Sequence, residues 1–298
     1  MPRNVTAGVD GSPESLAAAE WAAHEAELRG LPLHLVHAWD WQRHAQPVPA
    51  EPAHRHRGGR VLREAAERLR LGHPDLEVTS EQAALPPVTA LLAASEDADA
   101  LVVGSRGVSG VAGFLVGSVG LGLVARTDRP VVLVRSDARP EDEHRPDADG
   151  RLSTATPYRD VVLGLDHEQP DDSVLAFAFE AASRRGARLR VVHGASLPPS
   201  SAYDLGVDPG PGDELSRGEA SAVTGVLAPW REKFPGVDIV EQAAIGDPAG
   251  HLVDAAADAS LVVVGRRPLH GRLGARIGPV THAVLHHATA PVVVVPHD

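Results

Sequence analysis

The chain has 298 residues, 28 Lys and Arg against 40 Asp and Glu, a formal charge of −12, 43 % apolar and 3 % aromatic residues and no cysteine. The length predicts two domains with cores built from Val, Leu and Ala. The acidic balance argues against a nucleic-acid binder, and the missing cysteine excludes disulfides, thiolate metal sites and cysteine nucleophiles. No apolar run reaches membrane-span length and the amino-terminal residues lack a signal-peptide h-region, so a cytoplasmic protein without membrane association is expected.

Residues 4–9 read as a first strand, short, β-branched and apolar enough to be covered on both faces. Ser12-Pro13 then opens a helix, with Ser12 as cap and Pro13 in the first turn, and Gly30 ends it. Residues 31–38 follow as a second strand, 56–71 as a helix, 76–83 as a third strand and 86–96 as a helix entered by a Pro-Pro pair. A fourth strand spans 101–104, a helix 117–126, and a fifth strand 131–135. Strands alternating with helices predict a parallel sheet covered on both faces, doubly wound and Rossmann-like. With strand order 3-2-1-4-5 the ligand crevice lies between the tips of strands one and four.

The pattern then repeats. Val5-Thr6-Ala7-Gly8-Val9-Asp10 returns as Val161-Val162-Leu163-Gly164-Leu165-Asp166, and Leu33-His34-Leu35-Val36-His37 as Leu189-Arg190-Val191-Val192-His193. Leu101-Val102-Val103-Gly104 returns as Val262-Val263-Val264-Gly265, and Pro130-Val131-Val132-Leu133-Val134 as Pro291-Val292-Val293-Val294-Val295. A period this long is a duplicated domain rather than a solenoid. The polar, proline-broken residues 137–157 read as a linker that cannot offset its ordering entropy, between domains at 1–136 and 158–298. Residues 41–60 and 197–217 read as long irregular loops at equivalent places.

Strand one ends in Val9-Asp10-Gly11-Ser12. Strand four ends in Gly104-Ser105-Arg106-Gly107, followed nine residues later by Gly117-Ser118-Val119. In this pattern Gly104 and Gly107 let backbone approach a ligand and take dihedrals closed to other residues. Gly117-Ser118 opens a helix whose free N–H groups and dipole attract phosphate, and the Ser118 hydroxyl adds a donor. Asp10 can accept from a ribose hydroxyl, coordinate Mg²⁺, or act only as a cap.

The spacing G-x2-G-x9-G-S at Gly104, Gly107, Gly117 and Ser118, with the strand-one Val-Asp-Gly-Ser-Pro and the strand-two Leu-Val-His-Ala-Trp, resembles the universal stress protein family in its tandem form. The resemblance implies ATP binding with little or no turnover, in a stress-response regulator whose occupancy changes the surface shown to an unidentified protein partner. It implies adenine contacts near Val9, Asp10 and Val36, and ribose and phosphate contacts from Val103, Gly104, Gly107, Gly117, Ser118 and Val119. A phosphate contact from Arg106 is inferred beside these, with Mg²⁺ near Asp10.

The second half keeps the spacing but reads Gly265-Arg266-Arg267-Pro268 and Gly278-Pro279. Pro268 cannot replace Gly107, and Pro279 removes a donor, so weak or absent nucleotide binding is expected there. Arg266, Arg267, Arg272 and Arg276 are the opposing observation, an anion cluster or solvated surface charge. His54 with His56, and His286 with His287, join no carboxylate in a metal-ligand spacing, so no metal site follows from spacing. His37 and His193 recur at the end of strand two, as ligand contacts or shared ancestry. Trp39 and Trp41 read as packing or as a stacking face for adenine. No catalytic residue is expected, because no Walker A pattern or general base accompanies the glycines. A slow ATPase or adenylyl-transfer enzyme and a ligand-free scaffold are the alternatives. The last strands of the two halves are apolar edges that can pair as an intramolecular pseudo-dimer or serve a homodimer.

Overall fold

The computed structural model describes residues 3–39, 50–105, 116–195, 210–245, 247–267 and 277–297. The chain divides into two compact units, residues 1–140 and 141–298. None of the described helices is long and apolar enough to cross a membrane.

In the first unit the order is β1 (Asn4–Gly8), α1 (Pro13–Arg29), β2 (Leu33–Ala38), α2 (Ala50–Gly72), β3 (Val78–Ala83), α3 (Pro87–Ala94), β4 (Ala98–Ser105), α4 (Ser118–Val124) and β5 (Val131–Arg135). β1 pairs with β2 and β4, β2 with β3, and β4 with β5, all parallel, so the sheet runs β3-β2-β1-β4-β5. The middle strands are buried on both faces, as their Val-, Leu- and Ala-rich sequences require: Val5, Ala7, Leu101 and Val102 have no exposed surface. Side-chain alternation sends neighbouring positions of β4 to opposite layers. The Val103 side chain lies beside Gly8 and under Gly120 of α4, whereas Gly104 lies against Glu14 of α1.

The helix signals act as chemistry dictates. Ser12 is the N-cap of α1, its side chain accepting from the Ser15 N–H at 3.3 Å, and Pro13 occupies the first turn. Gly30 closes α1 in the left-handed region at φ 64°.

The second unit repeats the plan with β6 (Asp160–Gly164), α5 (Asp172–Arg185), β7 (Leu189–Ala195), α6 (Gly210–Lys233), β8 (Ile239–Ile245), α7 (Pro248–Ala256), β9 (Ala259–Arg266), α8 (Pro279–His287) and β10 (Val292–Pro296). Its parallel pairings give β8-β7-β6-β9-β10. Phe179, fully buried on α5, packs against Trp230 and Phe234 with ring centroids 5.6 and 5.5 Å apart.

Three stretches differ from the sequence reading. Helices α2 and α6 begin at Ala50 and Gly210, so much of what read as loop at 41–60 and 197–217 is helical. Helix formation there extends from the amphipathic segments backward, which proline-rich composition hides. The helix expected over 86–96 stops at Ala94 and tightens into a 3-10 turn, Ser95–Asp97. Residues 137–157, expected to lack structure, are ordered by polar bonds. His144 is buried and pairs with Tyr158 in an antiparallel bridge, while Arg145 reaches Asp160 at 3.0 Å. Specific hydrogen bonds and ion pairs supply what apolar burial could not.

Candidate nucleotide crevice

The β1 tip is held by a compact hydrogen-bond network. The Val9 N–H donates to the Val36 carbonyl at 2.8 Å, extending the β1–β2 ladder past the last strand residue. Asp10 Oδ1 accepts from the Ser12 N–H at 2.9 Å, and the Asp10 N–H donates to Ser15 Oγ at 3.2 Å. Ser15 Oγ in turn donates to the Ser12 carbonyl at 2.9 Å. Between Asp10 and Ser12 the chain turns at Gly11 with φ 85°, a conformation that a side chain disfavours. The Asp-Gly-Ser sequence thus suits this turn, aspartate and serine supplying acceptors and glycine the positive φ.

Partial burial pushes the Asp10 carboxyl up, but the hydrogen bonds from Ser12 and Ser15 and the nearby His37 outweigh it and hold Asp10 below the usual carboxylate range. Its side chain is accessible at the β1 tip and carries negative charge at neutral pH.

His37 has a local role. Its Nδ1 donates to the Val9 carbonyl at 2.7 Å, fastening the β1 tip to β2. In the second unit His193 makes the same bond to the Leu165 carbonyl at 2.8 Å. A carbonyl only accepts, so both rings carry the proton on Nδ1. This common latch accounts for the recurrence of the histidine.

Because α1 packs on one side of the sheet and α4 on the other, the chain leaves β1 and β4 in opposite directions. That is the condition for a crevice at the carboxyl ends of these strands. Gly117 is the N-cap of α4 and Ser118 its first residue, exposed, with Val119 half-buried. The first N–H groups of such a helix lack intrahelical acceptors and face the end of the sheet from which β4 emerges.

Of the two described glycines of the motif, Gly117 opens α4 as expected, whereas Gly104 departs from expectation. Gly117 has φ −63°, which any residue adopts, and a Cβ built there meets nothing within 4 Å. Gly104 is not among the positive-φ glycines either. A Cβ on Gly104 would lie 2.4 Å from the Glu14 carbonyl carbon and oxygen. Its requirement is close helix–strand packing, not a special dihedral. Val9, Val36 and Val103 are buried at 3, 2 and 4 % exposure, so their side chains belong to the core near the strand tips. Arg106 and Gly107 fall outside the described residues, as does Trp41.

The second unit diverges at the same place. Arg267, which succeeds β9 as Arg106 succeeds β4, reaches back across the strand tips to the β6 loop. Its Nη2 is 3.2 Å from Asp166 Oδ2 and 2.6 Å from the Gln169 carbonyl, and its Nη1 donates to Gln169 Oε1. Asp166 is the counterpart of Asp10, so the crevice mouth is spanned by an internal ion pair. Thr281 of α8 donates to the Gly265 carbonyl at 2.9 Å, where the first unit has Gly120. The arginine cluster therefore resolves in part. Arg267 is a bridge and Arg266 is buried, while Arg272, Arg276 and Pro268 lie outside the described residues. Residue spacing did not reveal this bridge; the alignment of Arg267 with Arg106, opposite a retained aspartate, is the signal that could have found it.

Comparison with known proteins supplies independent findings. The model of the Universal stress protein family matches residues 1–135 and 157–296. A universal stress protein of Mycobacterium tuberculosis (strain ATCC 25618 / H37Rv) is 33 % identical over 303 residues, covering 97 % of this chain and 96 % of the relative. A second one from the same strain is 31 % identical over 305 residues, covering 97 % and 95 %. Among solved structures, a universal stress protein from Archaeoglobus fulgidus DSM 4304 has the same fold. Its TM-score is 0.70 at 17 % identity, with 99 % of this chain and 98 % of that chain covered.

Proposed function

Since the chain belongs to the universal stress protein family, with both units matched, we propose that it is a cytoplasmic stress-response regulator that holds ATP in the crevice of its first unit with little or no turnover. The observation that carries this reading is the first switch point: the exposed Asp10 carboxylate stands at the strand tip with its loop fixed from within, and α4 begins at the same end of the sheet. At the second switch point the equivalent Asp166 is paired with Arg267 at 3.2 Å.

In this reading Asp10 accepts from the ribose and lies near any Mg²⁺ that accompanies the phosphates. The N–H groups of Ser118 and Val119 and the Ser118 hydroxyl donate to phosphate oxygens, helped by the α4 dipole. Gly104 and Gly107 keep the intervening backbone close, and Arg106 adds charge. Low turnover fits a site that positions phosphates by backbone and hydroxyl donors, with no assigned base to activate water. Occupancy then alters the surface offered to a protein partner.

The test is direct. The full chain is purified, heat-denatured, and the supernatant analysed for nucleotide; retained ATP is the expected result. Gly117→Val should abolish retention while the protein stays folded, because the extended backbone there (φ −63°) is open to any residue and the added Cβ meets no described atom within 4 Å. Recovery of ADP or AMP, together with loss of added ATP on incubation, would point to an enzyme. No nucleotide, with no binding of added ATP, would make it a scaffold.

A further inference from the structure

On α1, Glu20, His24 and Glu27 fall at positions i, i+4 and i+7, one face of the helix. His73, immediately after α2, is brought against that face and is 5 % exposed. Its backbone is fixed on both sides: its N–H donates to the Leu69 carbonyl at 2.7 Å, and its carbonyl accepts from the Leu76 N–H at 3.1 Å. One ligand atom from each of Glu20, His24 and His73 lies within 4.8 Å of the others. The two imidazoles meet edge-on with centroids 4.6 Å apart.

The tautomers follow from the partners. His24 Nδ1 is 3.1 Å from the Glu20 backbone carbonyl, which only accepts, so Nδ1 carries the proton and Nε2 keeps its lone pair. His73 Nδ1 is 3.0 Å from Glu27 Oε1, which makes Glu27 the acceptor for that N–H. His73 Nε2 then faces Glu20 Oε1 at 3.4 Å. In a neutral ring that is lone pair against lone pair, and a cation between the two atoms removes the repulsion. The separation is close to the ~3.3 Å edge of a tetrahedron whose metal–ligand bonds are about 2.0–2.1 Å.

We propose that Glu20, His24 and His73 bind a divalent first-row transition metal of the zinc class, with Glu27 as the outer carboxylate that orients His73. Imidazole nitrogens favour such a metal over Ca²⁺ or Mg²⁺. The Nδ1–H of each histidine is held by an oxygen, which fixes the ring and leaves Nε2 as the metal-binding nitrogen. Glu20 is half-buried and can rotate to complete the set, and Glu27 leaves an open side for entry. Glu20 stands eight residues beyond the Ser12 cap, about 12 Å along the helix axis, so this site is separate from the crevice. Metal there would clamp α1 to the turn between α2 and β3. A spacing search misses it because His73 is far from α1 in sequence.

The full chain, stripped with a chelator and dialysed, is titrated with Co²⁺ and then Zn²⁺. The expected result is the visible ligand-field spectrum of four-coordinate cobalt, saturating at one equivalent and displaced by Zn²⁺. His24→Asn and His73→Gln should each abolish the spectrum or weaken binding more than ten-fold, and Glu27→Gln should weaken it about ten-fold. His287→Ala, outside the cluster, should leave it unchanged. His24 is only half-buried, so His24→Asn keeps the test valid if His73→Gln fails to fold. Zn²⁺ should also raise the unfolding temperature of the wild type and not of His24→Asn. No stoichiometric binding would mean that a proton alone joins these groups, and a spectrum that persists in His24→Asn would place the metal elsewhere. Either result overturns the proposal.

Discussion

Gly104 sits where a strand tip and the first turn of a helix nearly touch, and Gly104→Ala measures that closeness. The added Cβ would lie 2.4 Å from both the carbonyl carbon and oxygen of Glu14, and 2.9 Å from its Cβ. Carbon contacts are optimal at about 3.5–4.0 Å, so roughly 1 Å must be found between two backbone segments. Neither yields easily: β4 is paired on both sides and α1 is pinned by the Ser12 cap. Overpacking of this kind costs about 1–3 kcal/mol. For a unit of this size that is a fall of roughly 3–10 °C in melting temperature. Gly265→Ala is the matched comparison. There the clashing atoms are Nε2 and Cδ2 of His297, at 2.5 and 2.8 Å, the far end of a side chain near the carboxyl terminus. Its cost should stay below about 1 kcal/mol. Differential scanning calorimetry of the two variants, each with and without added ATP, reads the difference. A Gly104→Ala melting temperature within about 1 °C of wild type, with nucleotide retention lost, would refute the packing argument and return Gly104 to ligand approach.

Two further outcomes are expected. Asp160 is buried and engages Arg145, Arg188 and Arg190 at 3.0, 3.0 and 2.6 Å. Burial pushes its carboxyl up, but the hydrogen bonds and charge of Arg188 and Arg190 hold it below the ordinary carboxylate range. A depressed folded-state value contributes stability above the unfolded value of about 3.9, lost as pH falls through the folded one. Asp160→Asn should cost about 1–3 kcal/mol at neutral pH, the partial exposure of the arginines moderating the loss. In urea unfolding the gap between variant and wild type should narrow as pH drops below about 4; a constant gap would contradict the assignment. Equilibrium dialysis of the full chain with ATP should saturate at one nucleotide per chain. Saturation at two would show that the Arg267–Asp166 bridge opens to ligand.

Much of the fold was legible because its signals are local. Ser12-Pro13 and Gly30 bound α1 by capping chemistry, and the Val-rich runs of β1, β4 and β5 report burial on both faces. The segment 137–157 was misread for the converse reason. Its order comes from His144, Arg145 and Asp160 finding partners, and composition does not encode partners. The helical starts at Ala50 and Gly210 were hidden by prolines and glycines that host–guest preference disfavours but a helix tolerates near its start.

The β1-tip turn and the α4 start were legible from glycine and serine spacing, since a turn and a helix start impose fixed residue types at fixed intervals. What each residue does there was not. The sequence by itself determined the duplication, the alternation of strand and helix, and which residues stand at the strand tips, because periodicity, capping and burial act within a few residues. Only the tertiary structure decided that Gly104 serves helix packing, that His37 and His193 fasten strand tips, that Arg267 spans the second crevice, and that His73 meets Glu20 and His24. Each of these is a contact between segments far apart in the chain, and such contacts are fixed by sheet register and helix placement, which no local pattern records.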